Sequence, residues 1–105
     1  MSPLRCAVYA VLSTCAAAAP ALAQQATLAR NLAATCANCH GTNGNARANM
    51  KPLAGVPAAD TVAAMADFKT GSQPATIMHQ IAKGYSDEQI RLIADHFAAQ
   101  KPSGK

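Results

Sequence analysis

The chain has few aromatic residues for its size. Its 105 residues include no tryptophan, two tyrosines and two phenylalanines. If residues 1–23 are removed, as argued below, the aromatic residues that remain are Phe68, Tyr85 and Phe97. A domain of this length buries too little apolar surface to be comfortably stable on its own. The composition therefore predicts one small domain that needs a further stabilising group.

Charged residues are scarce as well, at 13% of the chain, and the formal net charge is only +4. No basic run is interleaved with stacking aromatic residues, which is the pattern expected of a nucleic-acid-binding protein. No segment alternates apolar and polar residues as a half-buried β-strand would, and no internal repeat is present. These absences argue against nucleic acid as a partner and favour an all-α fold.

The N-terminal residues 1–23 have the pattern of a cleavable secretory signal peptide. Arg5 supplies a positive charge, a run of apolar and small residues follows, and Pro20 precedes an Ala-x-Ala cleavage site. The run is shorter than the about 20 residues that span a membrane. An uncleaved anchor helix and a lipoprotein processed at Cys15 are the alternatives. We expect an exported mature domain at residues 24–105, without a membrane span after cleavage and located in the periplasm.

The most informative motif is C-x-x-C-H, formed by Cys36, Cys39 and His40. Two thiols at this spacing lie on one side of a helical turn, where they can add across the two vinyl groups of a haem. The imidazole that follows is then placed to ligate the iron. The motif predicts one covalently attached c-type haem, because it occurs only once in the sequence.

Other chemistry is possible for the two thiols. A zinc site would need two more ligands, and His79 and His96 do not follow at a usual zinc-finger spacing. A redox dithiol would be expected in a βαβ pattern, which is not visible here. A disulfide framework is not implied either, because Cys6 and Cys15 would be lost with the signal peptide.

Four segments are predicted to be helical. The first predicted helix spans residues 26–35, has a stripe of apolar residues and leads into the motif. The second spans residues 60–70, has an apolar face and ends before Gly71. A shorter helix is predicted over residues 75–83. The last helix is the clearest, because Ser86 begins a capping box with Gln89 and is followed by an apolar face. That face consists of Ile90, Ile93, Ala94 and Phe97, and a frayed tail is expected from residue 101 onward.

Spacing alone leaves five candidates for the sixth ligand of the iron. The downstream candidates are Met50, Met65, Met78, His79 and His96. Met50 is close to the motif in sequence, Met65 has the position of a core residue, and His96 is consistent with a surface residue. Met78 leaves enough chain to cross the haem, and it is moderately favoured over the adjacent His79.

The order of these features resembles that of class I cytochromes c, over about residues 26–100. Within that family, the segment over residues 74–90 is similar to the monohaem cytochrome subunit of flavocytochrome c sulfide dehydrogenases, and more loosely to cytochromes of the c4 and c5 type. The resemblance implies the class I cytochrome c fold, with helices around one haem. It also implies that Met78 is the axial sulfur ligand and that the carbonyl of Pro52 accepts a hydrogen bond from His40.

The chain departs from the family pattern at one place in the second predicted helix. Relatives often have an aromatic residue at one position early in this helix, and the residue that corresponds to it here is Thr61 or Val62, neither of which is aromatic. Some relatives also carry two haem domains, and this chain has room for one.

The function expected from a His/Met-ligated haem is one-electron transfer in the periplasm. The chain would act either as a free carrier or as the cytochrome subunit of a sulfide-oxidising flavocytochrome c with an FAD-containing partner. An electron carrier of this kind is not itself an enzyme. The alternative is a haem enzyme or a gas sensor with an open or labile sixth position, and a structural metal-binding domain is a third option.

Overall fold

The computed structural model of the protein describes residues 18–104, and all regular structure in that range is helical. This confirms the expectation of an all-α fold. The signal-peptide prediction falls mostly on residues 1–17, outside the described residues. The elements are α1 (Ala18–Ala34), α2 (Ala37–His40), a 3-10 turn (Thr42–Gly44), α3 (Ala58–Thr70), α4 (Met78–Lys83) and α5 (Asp87–Ala98).

The first and last long helices, α1 and α5, pack against each other. Their contact is built from Ala33, Ile93 and Phe97, and the Phe97 side chain is only 1% exposed. A small residue such as Ala33 lets the two helix backbones approach closely around the large ring. This packing fixes the end of α1, which leads directly into the C-x-x-C-H motif.

The N-terminus of α5 has the predicted capping box. The backbone N–H of Gln89 donates to the Ser86 hydroxyl at 3.2 Å, and the backbone N–H of Ser86 donates to Gln89 Oε1 at 2.9 Å. The predicted apolar face of this helix is buried as expected. Its members are Ile90, Ile93, Ala94 and Phe97.

Helices α3 and α4 complete the body of the domain. They pack on each other, and α3 also packs on α5, around a second cluster of Met65, Ala82 and Ile90. Helix α3 ends at Gly71, which has the left-handed φ of 81° and donates its N–H to the carbonyl of Phe68. The side chain of Tyr85 packs against both this cluster and the one between α1 and α5.

Two helix starts differ from the sequence prediction. Helix α4 begins at Met78 rather than at residue 75, because Ile77 leaves the helical region at φ −137° and no side chain caps the start. Helix α1 is already helical at Ala18, the first described residue and eight residues before the predicted segment, and it passes through the proposed cleavage site. Residues 19–28 of this helix are exposed, with Leu22 at 66% and Leu28 at 49%. Among the described residues no helix is both long enough and apolar enough to cross a membrane.

The C-terminal tail is held in place, although the sequence predicts that it frays. Asn45 Nδ2 donates to the carbonyl of Lys101 at 3.2 Å, and Asn45 Oδ1 accepts the backbone N–H of Ser103. The ring of Pro102 also lies against Gly55. A single asparagine in the loop after the motif thereby ties that loop to the end of the chain.

Candidate cofactor site

A mainly apolar cavity of about 460 Å³ opens between α2, the loop before α3, α3 itself and α4. Its size is in the range of small-molecule and cofactor pockets. Most of the wall is aliphatic or aromatic, and few polar groups reach it. The predicted attachment and ligand residues are among those that line it, namely Cys36, Cys39, His40 and Met78, together with Met65 and Tyr85.

The C-x-x-C-H motif folds as one tight helical turn at this wall. The backbone N–H groups of Cys39 and His40 both donate to the carbonyl of Cys36, at 3.3 Å and 2.9 Å. Both cysteines are free thiols, Cys36 half-buried and Cys39 exposed. Burial raises the pKa of the Cys36 thiol above its usual value, and the like charge of Cys39 adds a smaller effect in the same direction. Two thiols therefore lie at one edge of the cavity.

The imidazole of His40 is oriented by a hydrogen bond from Nδ1 to the carbonyl oxygen of Lys51, at 2.7 Å. Because a carbonyl can only accept, this bond requires the proton on Nδ1 and leaves Nε2 free to act as a ligand. The expected acceptor was the carbonyl of Pro52, so the structure corrects that assignment by one residue. The path of the loop brings the carbonyl of Lys51, rather than that of Pro52, within hydrogen-bond distance of the ring.

The candidates for a sixth ligand lie in different places, with the three methionines at the cavity and the two histidines away from it. Met78, at the start of α4, and Met65, a buried residue of α3, both line the cavity. Met50 is at the rim, with 44% of its surface exposed. His79, although adjacent to Met78, lines a different and more open depression next to Lys69.

His96 is also away from the cavity lining. Its ring packs edge-on against Phe97, with the centroids 5.4 Å apart and the planes at 74°. Among the described residues, no three His, Cys, Asp or Glu side chains come together to hold a metal ion. His79 and His96 thus lie apart from the cysteines of the motif.

Two polar residues of the site were not singled out as functional from the sequence. The hydroxyl of Thr61 is buried at the cavity wall without a hydrogen-bond partner. The hydroxyl of Thr35, beside Cys36, lies 2.6 Å from that of Tyr85. The one available signal for Thr61 was its position: it precedes Met65 by four residues, so a polar side chain stands in the apolar stripe of α3.

The residues present fit a haem. A large, flat and mostly apolar group suits the apolar cavity, two thiols are available for its vinyl substituents, and an imidazole nitrogen faces the same space. A thioether also lines the cavity at Met78. The orphaned hydroxyl of Thr61 indicates that something polar is needed to complete this wall.

Comparisons with known proteins agree with this fit. The profile of the family described as cytochrome c matches residues 26–99. The chain is 42% identical over 66 residues to the cytochrome subunit of sulfide dehydrogenase from Chlorobaculum tepidum, covering 63% of this chain and 60% of that protein. It is 32% identical over 71 residues to cytochrome c-553 from Desulfomicrobium norvegicum, covering 65% of this chain and 89% of that protein.

A third relative is considerably longer than the matched region. The thiosulfate dehydrogenase electron acceptor from Thiomonas intermedia is 35% identical over 75 residues, which cover 70% of this chain and 35% of that protein. The chain thus spans less than two thirds of two of these three relatives.

Proposed function

Because this chain belongs to the cytochrome c family, we propose that it is a periplasmic one-electron carrier with a single haem c ligated by His40 and Met78. Its all-α architecture is that of a class I cytochrome c, and it is an electron carrier rather than an enzyme. The observation on which the ligation depends is that Cys36, Cys39, His40 and Met78 line one cavity while His79 lines another.

Attachment is assigned to the two thiols of the motif, and the family implies that the haem is covalently bound. When bound, the haem supplies an iron that alternates between the ferrous and ferric states. The protein holds the proton of His40 on Nδ1, against the carbonyl of Lys51, so that Nε2 is the ligating atom. The single motif in the sequence supports one haem.

The thioether of Met78 is the proposed sixth ligand. Bound to the iron, it would fill the last coordination position and leave none for a substrate or a gas. A neutral sulfur ligand favours ferrous iron and raises the potential relative to two histidines. The apolar wall around it, including Met65 and Tyr85, excludes water from that side.

The proposed electron donor is a flavin-containing, sulfide-oxidising protein. The 42% identity to a cytochrome subunit of sulfide dehydrogenase supports this choice, and the match to a thiosulfate dehydrogenase electron acceptor supports a role in the oxidation of inorganic sulfur compounds. The pattern of residues 1–23 supports export to the periplasm.

The decisive experiment examines the secreted protein for haem and for an open coordination site. A pyridine haemochrome assay, with mass spectrometry of the peptide that contains Cys36 and Cys39, should find one covalently bound haem. The ferrous protein at neutral pH should not bind carbon monoxide rapidly. Stoichiometric binding would instead support the haem enzyme or gas sensor.

The partner is tested separately. Tagged mature protein should retain a flavin-containing protein from extracts of its host, and that protein should reduce the haem when sulfide is added. Reduction that is independent of sulfide would leave the carrier function intact and exclude this donor.

A further inference from the structure

Thr61 has a buried hydroxyl with no partner. The residue is 8% exposed, and its Oγ1 makes no hydrogen bond to any of the described residues. The hydroxyl of a threonine in a helix can donate a hydrogen bond to the backbone carbonyl four residues earlier. Here that carbonyl belongs to Pro57, and it accepts the backbone N–H groups of Asp60 and Thr61 instead, at 3.0 Å and 3.3 Å.

The hydroxyl lies at the wall of the cavity, and its neighbours there do not satisfy it. Thr61 shares the inner face of α3 with Ala64 and Met65, which are apolar apart from a weakly accepting thioether. A buried polar group of this kind is normally paired. A polar group on the molecule that fills the cavity would satisfy it.

The surroundings of Thr61 suit a carboxylate. The residue lies in the first turns of α3, a helix of 13 residues whose positive end favours an anion. Asn49 and Lys51 line the same cavity and add a polar side chain and a cation. Asp60 also lines it, and because the Asp60 carboxylate and the Lys51 ammonium are both exposed to water, their opposite charges are both screened and the helix end remains as the main electrostatic contribution.

We propose that Thr61 is a positioning residue for the haem, whose hydroxyl donates a hydrogen bond to a propionate carboxylate inside the cavity. The inference rests on the haem of the proposed function. The propionates are the strongly accepting groups of a haem, and they lie across the macrocycle from the substituents that Cys36 and Cys39 would bind. Bonds from a neutral donor to a carboxylate are short and strong, so this one fixes how the haem is seated.

The test compares Thr61→Val with Thr61→Ser in the haem-loaded protein. The valine keeps the shape of the side chain and removes the hydroxyl, whereas serine restores the hydroxyl. The control is Thr70→Val, which removes an exposed hydroxyl of the same helix that bonds to the carbonyl of Asp67. The readouts are the propionate bending band in the resonance Raman spectrum, the midpoint potential and thermal unfolding.

In Thr61→Val the propionate band should shift, the potential should fall because the carboxylate charge is less neutralised, and the unfolding temperature should drop. Thr61→Ser should restore all three towards wild type, and Thr70→Val should leave the band and the potential unchanged. If the valine variant does not take up haem, Thr61→Ala must show the same shifts.

An unmoved propionate band in a haem-loaded Thr61→Val or Thr61→Ala variant would overturn the proposal. So would a variant more stable than wild type, since that is the result expected when an orphaned hydroxyl is replaced by a methyl group. A change confined to the methionine-to-iron absorption band would place the hydroxyl at Met78 instead. Wild-type protein without haem would defeat the proposed function itself, and the haemochrome assay shows this before any variant is made.

Discussion

The hydroxyls of Thr35 and Tyr85 lie 2.6 Å apart and connect the residue before Cys36 to the turn after α4. The Thr35 hydroxyl also donates to the carbonyl of Leu32 at 3.1 Å, so its proton is already used. Tyr85 is therefore the donor in the pair. Because Tyr85 packs against both hydrophobic clusters, this bond joins the attachment motif to the segment that carries Met78.

The backbone carbonyl of Tyr85 also accepts a hydrogen bond. Lys69 Nζ donates to the carbonyl of Tyr85 at 2.7 Å and pairs with Asp87 Oδ1 at 3.3 Å. The end of α3, the end of α4 and the start of α5 thus meet at one residue. Tyr85 therefore links the cavity wall at the attachment motif to the wall formed by α3 and α4, without involving the cofactor.

Tyr85→Phe should destabilise the haem-loaded protein by about 1 kcal/mol, because it removes one hydrogen bond and keeps the ring. Guanidinium unfolding of the variant gives this value. The matched variant, which removes the other hydroxyl of the pair, is Thr35→Val. If the two hydroxyls interact as described, the double variant should lose clearly less stability than the sum of the two single variants. Additive losses would contradict the pairing.

Met78→Ala should lower the midpoint potential and open the iron to external ligands, because it removes the proposed sulfur ligand. Carbon monoxide binding by the ferrous variant and its spin state in the ferric form report the change. His79→Ala is the control, since His79 lines a separate depression, and its spectrum should stay close to wild type. A Met78→Ala protein with an unchanged low-spin spectrum would mean that another residue ligates the iron.

Gly44→Ala should be far more destabilising than Gly71→Ala, although both glycines have a left-handed φ, 75° and 81°. At Gly71 a Cβ meets nothing within 4 Å, so the cost is the conformational one of about 1–2 kcal/mol. At Gly44 a Cβ would be 2.7 Å from the backbone nitrogen of Ala54 and 2.8 Å from the ring of Phe97.

The clash at Gly44 cannot be relieved cheaply. The carbonyl of Gly44 accepts the N–H groups of Leu53 and Ala54, at 2.9 Å and 3.1 Å, so moving the backbone would break those bonds. Thermal unfolding of the two variants side by side tests the difference. Equal melting temperatures would show that the loop relaxes around the new methyl group.

Protein without haem should lose its cooperative unfolding transition, because the apolar cavity of about 460 Å³ would then be open to water. A variant with Cys36→Ser and Cys39→Ser, produced without attached haem, supplies the sample. Circular dichroism during heating is the measurement. A transition as sharp as that of the haem-loaded protein would show that the helices hold together without the cofactor.

The parts of the fold that follow from short-range patterns were predictable. The capping box of Ser86 and Gln89 and the buried face of α5 are encoded within a few residues, and the structure has them as expected. The C-x-x-C-H turn is similarly local. The end of α3 at Gly71 follows from the readiness of glycine to take a positive φ.

The parts that the sequence could not reveal depend on contacts between distant segments. The acceptor for His40 is Lys51 rather than Pro52, a difference of one residue that only the path of the loop decides. That Met78 lines the apolar cavity while His79 does not follows from how α4 packs on α3, a contact between separate segments of the chain. The order in the tail depends on Asn45, more than 50 positions away.

The anchoring of the tail has a practical consequence for handling the protein. Because Asn45 bonds to the backbone of both Lys101 and Ser103, this part of the tail is held against the loop, although its residues are exposed. Exopeptidase trimming should stall near Ser103, and an affinity tag joined directly after it would start beside the loop that leads to Lys51. A flexible spacer ahead of the tag keeps purification from disturbing the histidine's orientation.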